Sequence, residues 1–194
     1  MMNLEEPRRP ARIRSSCRGV VMVICLLPAL SFAEEARLLA IGLRAGFSGK
    51  SVLGEEHLQH FQQYDVMANF ALPWGWYSES GWGIGTRFLA SAGALRSAGD
   101  TEFISTFVPG IAFGDKRGRI SLEIGFGGAL LSHYKFANQN LGGPFQFVWD
   151  TALRLGLSKD FGVGYCFQHI SDATIYGSDS LGFDLHMVEL TYRF

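Results

Sequence analysis

An eight-stranded antiparallel transmembrane β-barrel of the bacterial outer membrane is the fold class this sequence predicts. Three observations predict it: an export-type leader, eight segments of alternating apolar and polar residues after it, and an aromatic residue closing the last segment. Composition agrees. The 194 residues are 47% hydrophobic and 18% charged, with 24 Gly and 16 Phe. So much apolar and aromatic mass excludes a disordered chain. A formal net charge of −1 argues against a nucleic-acid binder. No run after the leader approaches the ~20 apolar residues of a membrane-spanning helix.

Residues 1–33 read as a cleaved signal peptide, which leaves 34–194 as the barrel. Arg8, Arg9, Arg12, Arg14 and Arg18 form the positive region, an apolar run extends from Gly19 to Leu30, and Ser31-Phe32-Ala33 supplies the small residues of a cleavage site. A lipoprotein leader is disfavoured because Val23-Ile24 before Cys25 lack the small residues it needs. Removing the leader takes away five Arg and two Glu. The mature chain then carries 12 basic and 16 acidic residues, a net −4. Cys17 and Cys25 also leave, so Cys166 is the single cysteine and no internal disulfide forms.

The strands are expected near 37–47, 60–72, 80–92, 101–113, 118–130, 144–158, 161–171 and 183–194. Tight turns fall at Gly114–Gly118 and Lys159-Asp160. Longer polar stretches fall at 48–59, 93–100, 131–143 and 172–182, the asymmetry of outer-membrane barrels. In the fourth segment Phe103, Phe107, Ile111 and Phe113 share a face. In the sixth, Phe145, Phe147, Trp149, Leu153 and Leu155 do, while Gln146, Asp150 and Arg154 take the other face. Period two with an apolar outer face and a small or polar inner face suits a narrow, filled barrel. Asp150, Arg154, Glu123 and Arg87 are expected to form ion pairs in the lumen, and Cys166 to pack there.

The seventh segment sets Phe161, Val163, Tyr165, Phe167, His169 and Ser171 on the outward face. The eighth sets Asp184, His186, Val188, Leu190, Tyr192 and Phe194 there. Counting up from the periplasmic end puts His169 about 20 Å and Asp184 roughly 26 Å along the barrel, near the outer head-group level. Polar residues on a lipid-facing strand are expensive. A serine, a histidine and a carboxylate on one face have a chemical meaning: imidazole takes the serine proton and the carboxylate holds the imidazole. An interfacial polar belt without chemistry is the alternative reading at this point, and His186 is a second outward histidine.

Three stretches carry a resemblance to a known family. They are Gln168-His169-Ile170-Ser171-Asp172-Ala173, then Gly182-Phe183-Asp184, and Gln139-Asn140-Leu141-Gly142 with Gly125-Phe126-Gly127 before it. Over roughly 120–194 the chain resembles the outer-membrane lipid A 3-O-deacylases, the PagL family. The resemblance implies a carboxylic ester hydrolase that removes the 3-position acyl chain of lipid A in the outer leaflet. Ser171 would be the nucleophile, His169 the base and Asp184 the acid, with no cofactor and no metal. Backbone N–H groups from Asp172 to Thr174 are the oxyanion-hole candidates it suggests. The family acid is usually Glu, the His-to-acid spacing is one residue longer here, and Asp172 stands where the family has Asn.

The implied partners are lipid A (lipopolysaccharide), outer-membrane lipids and, through the terminal Phe194, the barrel assembly machinery. Nucleic acid is not expected, and a homodimer is left open. Two other functions compete: a non-enzymatic structural or adhesive barrel, and an esterase on other outer-leaflet lipids.

Overall fold

The computed structural model describes residues 36–49, 52, 59–177 and 180–194. The signal-peptide reading of 1–33 lies outside them. Eight long strands close one barrel: β1 (Arg37–Ser48), β2 (Gln62–Tyr77), β3 (Trp82–Ser97), β4 (Asp100–Asp115), β5 (Ile120–Leu131), β8 (Phe145–Gly156), β9 (Phe161–Ser171) and β10 (Phe183–Arg193). Two short strands, β6 (Lys135–Phe136) and β7 (Gln139–Asn140), make a hairpin in the loop between β5 and β8. Neighbours around the barrel are antiparallel, and β10 pairs with β1 to close it. Closure leaves no lipid-exposed edge with unpaired backbone groups, the condition for strands to cross a membrane.

Turns of four residues at 78–81, 116–119 and 157–160 sit at one end with both ends of the barrel chain. That is the periplasmic end. The expected long loop at 93–100 is instead a two-residue turn at Ala98-Gly99, with φ of 52° and 90°. The Ser/Ala/Gly-rich run before it has low strand propensity on its own. Register with β4 through Ser97↔Asp100 overrides that propensity, and two positive φ values give the hairpin twist.

Alternation along β8 and β9 follows expectation, with Phe145, Trp149, Leu153, Phe161 and Tyr165 exposed on the outside. The lumen has two storeys. At the outer end an apolar plug gathers Phe61, Leu95, Ile104, Phe136, Phe183 and Leu185, all fully buried or nearly so, and the Phe61 and Phe183 rings stack at 4.2 Å. A purely small or polar interior was the expectation. The loop aromatics Phe61 and Phe136 fold inward and join the strand residues of the plug.

Below the plug lies a charged layer. Arg44 donates through Nε and Nη2 to the two Asp65 carboxylate oxygens, both at 2.8 Å, and through Nη2 to Ser91. Arg154 pairs with Glu123 and, at 2.7 Å, with Glu189. Cys166 Sγ–H donates to Asp150 at 3.1 Å rather than merely packing. Arg87 is not in an ion pair among the described residues; it donates to the Thr86 carbonyl and the Tyr77 hydroxyl. Buried charges persist only when paired or hydrogen-bonded, which is how this lumen is filled.

Candidate active site

Strand β9 rises from the periplasmic turn and ends at Ser171, with its odd-numbered residues outward. Strand β10 descends beside it in a register that sets Asp184 directly opposite His169. Opposed residues of an antiparallel pair have Cα atoms about 4.5–5.5 Å apart, so a side chain as short as Asp reaches the ring. His169 Nδ1–H donates to Asp184 Oδ1 at 2.6 Å. An ionised carboxylate only accepts, so Nδ1 carries the proton and Nε2 of the neutral ring is left as an acceptor.

Asp184 is on the outward face but fully buried, whereas the His169 side chain is 19% exposed. From beyond β1, the Val52 N–H donates to Asp184 Oδ2 at 2.5 Å. Both carboxylate oxygens are therefore engaged, as a buried carboxylate requires. On the inner side of β10, Phe183 is wedged into the apolar plug against Phe61, which fixes the strand face that presents Asp184. Nothing in the sequence pattern signalled the loop contact.

Ser171 lies on the same face, two residues beyond His169. Among the described residues its hydroxyl makes no hydrogen bond, so His169 and Asp184 are joined and Ser171 stands beside them. Hydrogen bonds of catalytic groups are often long before substrate binds. Gly182 bounds the site: a Cβ there would lie 2.9 Å from Ser171 Cβ and 3.5 Å from His169 Cε1. Trp149 of β8 is opposite His169 on the other side, half exposed, with its indole N–H on Thr151.

The segment after Ser171 changes one expectation. Asp172 is 4% exposed and turned into its own loop, where it accepts from the Thr174 N–H at 3.0 Å, the Tyr176 N–H at 3.2 Å and the Ser180 hydroxyl at 2.7 Å. Its charge is thus spent on holding Ala173 and Thr174 at positive φ, 49° and 64°. The Thr174 N–H, one of the oxyanion-hole candidates, is already taken by that carboxylate. Gly142, at φ 90°, makes room: a Cβ there would meet Asp172 Oδ2 at 2.5 Å.

Gln139 ties three loops together. Its Nε2 donates to the Leu181 and Gly182 carbonyls at 3.4 Å, and its Oε1 accepts from the Gln59 N–H at 3.0 Å. The second outward histidine, His186, bonds through Nδ1 to the Tyr165 hydroxyl at 2.6 Å and pairs with no carboxylate among the described residues.

A family model described as lipid A 3-O-deacylase (PagL) matches residues 62–193, which include all three residues of the cluster. The chain belongs to the lipid A 3-O-deacylase (PagL) family. It is accordingly a β-barrel of the bacterial outer membrane, in a family of hydrolases. The crystal structure of the outer membrane enzyme PagL is similar in fold, with a TM-score of 0.64 at 18% identity over 78% of this chain and 97% of that one. The Yersinia pestis outer membrane protein Ail in a nanodisc matches at a TM-score of 0.43 and 12% identity, over 80% of this chain and 99% of Ail. No curated protein matches the chain in sequence.

Proposed function

We propose that this protein is a lipid A 3-O-deacylase, a serine esterase that hydrolyses the 3-position acyl ester of lipid A in the outer leaflet. The observation that carries the reading is the His169–Asp184 hydrogen bond of 2.6 Å on the outward barrel face, two residues from Ser171, in a chain of this family. Ser171 Oγ attacks the ester carbonyl carbon and its proton passes to His169 Nε2. Asp184 holds the Nδ1–H and stabilises the imidazolium. The tetrahedral species collapses, the bond from the carbonyl carbon to the sugar oxygen breaks, and Nε2 returns its proton to that oxygen. Water, deprotonated by the same nitrogen, then releases the fatty acid from Ser171. A site outside the barrel suits a substrate embedded in the surrounding leaflet.

Mass spectrometry of lipid A from cells expressing the wild type and Ser171→Ala tests this. Loss of one ester-linked chain with the wild type alone is expected. Unchanged lipid A in both would overturn the reading and favour a structural barrel. Loss of chains from phospholipids instead would favour the broader esterase.

A further inference from the structure

The periplasmic end of the barrel carries a cluster of cations. Lys116, Arg117 and Arg119 lie in the turn 116–119 and Lys159 in the turn 157–160, and all four are exposed. These two turns flank the neighbouring strands β5 and β8 and are fixed to each other. The Gly156 N–H donates to the Arg119 carbonyl at 2.8 Å, and the Arg193 guanidinium donates to the Arg117 and Ser158 carbonyls. Gly118 and Gly156 leave room for that guanidinium, since a Cβ on either would run into it. On its other side the turn 116–119 is held by the Lys116 N–H, which donates to the Gly81 carbonyl at 2.8 Å. Arg119 is engaged by Asp115 at 2.6 Å. The side chains of Lys116, Arg117 and Lys159 make no hydrogen bond or ion pair among the described residues.

These four cations and Arg193 stand against two acidic side chains, Asp115 and Asp160. The outer end has the opposite sign. Histidines aside, its described residues set Arg96 and Lys135 against Asp100, Glu102, Asp172 and Asp184. Aromatic rings put the cationic turns at head-group depth: Trp82, opposite Asp115, meets Phe113 at 5.7 Å, and Phe161 meets Tyr192 at 5.6 Å. Such rings form the girdles of a barrel at the membrane–water interface. Further into the membrane the wall is aliphatic, with Leu122 of β5 and Leu153 and Leu155 of β8 exposed on the outside. Unpaired cations thus sit at the foot of a surface fit for acyl chains.

We infer that Lys116, Arg117 and Lys159 form a docking site for a glycerophospholipid of net negative head group, of the phosphatidylglycerol type, in the periplasmic leaflet. The head group supplies the anionic partner that these side chains lack, and its chains lie along the leucine wall. Each cation held near an anionic membrane surface adds to the attraction. A zwitterionic head group brings its own cation to the same place, so it gains little. The site therefore reads the net charge of the lipid and not its phosphate alone.

The test mixes purified protein in detergent with equimolar phosphatidylglycerol and phosphatidylcholine of identical chains, and native mass spectrometry counts the lipid retained. Phosphatidylglycerol is expected to be retained about tenfold over phosphatidylcholine by the wild type. The triple variant Lys116→Gln, Arg117→Gln, Lys159→Gln should bring the two lipids to near equality. Arg117→Glu alone, a single change in an exposed turn, should cut the preference several-fold. Arg96→Gln with Lys135→Gln removes charge from the outer end and should leave the preference unchanged. Heat-modifiable migration checks that each variant is folded. Equal retention of the two lipids by the wild type would overturn the inference and leave the cationic turns to an acidic periplasmic protein. A preference that survives both turn variants would overturn it too. So would an equal loss in the outer-end variant, which would assign the effect to the net charge of the protein.

Discussion

Gly182 faces Ser171 so closely that a single methyl group on it would stand 2.9 Å from the Ser171 Cβ. The same methyl would meet the Ile170 carbonyl oxygen at 2.7 Å, which is backbone and cannot turn aside. Gly182→Ala is therefore expected to push the end of β9 away from β10 and to lower the deacylation rate at least tenfold. Heat-modifiable migration in gel electrophoresis should still report a folded barrel, because the eight-strand ladder lies below the contact. A fully active Gly182→Ala protein would show that the space beside Ser171 is not needed.

Asp184 is held from two sides, by His169 and by the Val52 N–H. Asp184→Asn keeps the shape but offers Nδ1–H a neutral partner and admits the wrong tautomer, so kcat is expected to fall by about 10³–10⁴ with little change in KM. Asp184→Glu is the informative companion. Direct cross-strand register already brings the shorter acid to the ring, so the extra methylene must displace either His169 or the Val52 contact. We expect Glu to be slower than Asp in this chain, measured as kcat on purified lipid A, although Glu is the residue the family usually carries.

These two residues also mark how far the sequence was legible. Strand alternation put His169, Ser171 and Asp184 on one outward face because a period of two leaves little freedom once the lipid face is identified. The register of β9 on β10 followed from counting to Phe194. The Val52 N–H on Asp184 did not, since residue 52 is remote in sequence and carries no pattern that would place it there. Arg44, Asp65 and Glu189 were missed for a related reason: a lumen salt bridge is chosen by barrel closure, which brings β1, β2 and β10 together. The two-residue turn at Ala98-Gly99 was hidden because Ser, Ala and Gly read as loop until pairing decides otherwise.

Asp172 organises the loop beyond Ser171. Asp172→Ala removes an acceptor of three hydrogen bonds, from Thr174, Tyr176 and Ser180, and should free the segment 172–177 from its positive-φ turn. At ~1 kcal/mol for each bond, the turn loses most of its bias. Limited proteolysis should cut there several-fold faster, and deacylation should drop at least tenfold. Asp172→Asn keeps the Oδ1 acceptor for Thr174 and Ser180 and gives up only the Tyr176 bond, so it is expected to stay within about threefold of wild type. Equal loss in both variants would mean that the charge, not the hydrogen bonding, is what the loop uses.

The ion pair between Arg44 and Asp65 has both side chains essentially excluded from solvent, with two parallel bonds of 2.8 Å. Arg44→Ala leaves the buried Asp65 carboxylate with Gln63 and Ser91 as its donors among the described residues. The expected destabilisation is about 3–5 kcal/mol, the cost of an uncompensated charge rather than the worth of the bond. The double variant Arg44→Met with Asp65→Leu removes both charges and refills the space, and it should recover most of that loss. Urea unfolding of protein folded into lipid vesicles, followed by tryptophan fluorescence, measures each step. Recovery in the double variant would assign the lumen charges to specificity of barrel closure. An additive loss would assign them to stability itself.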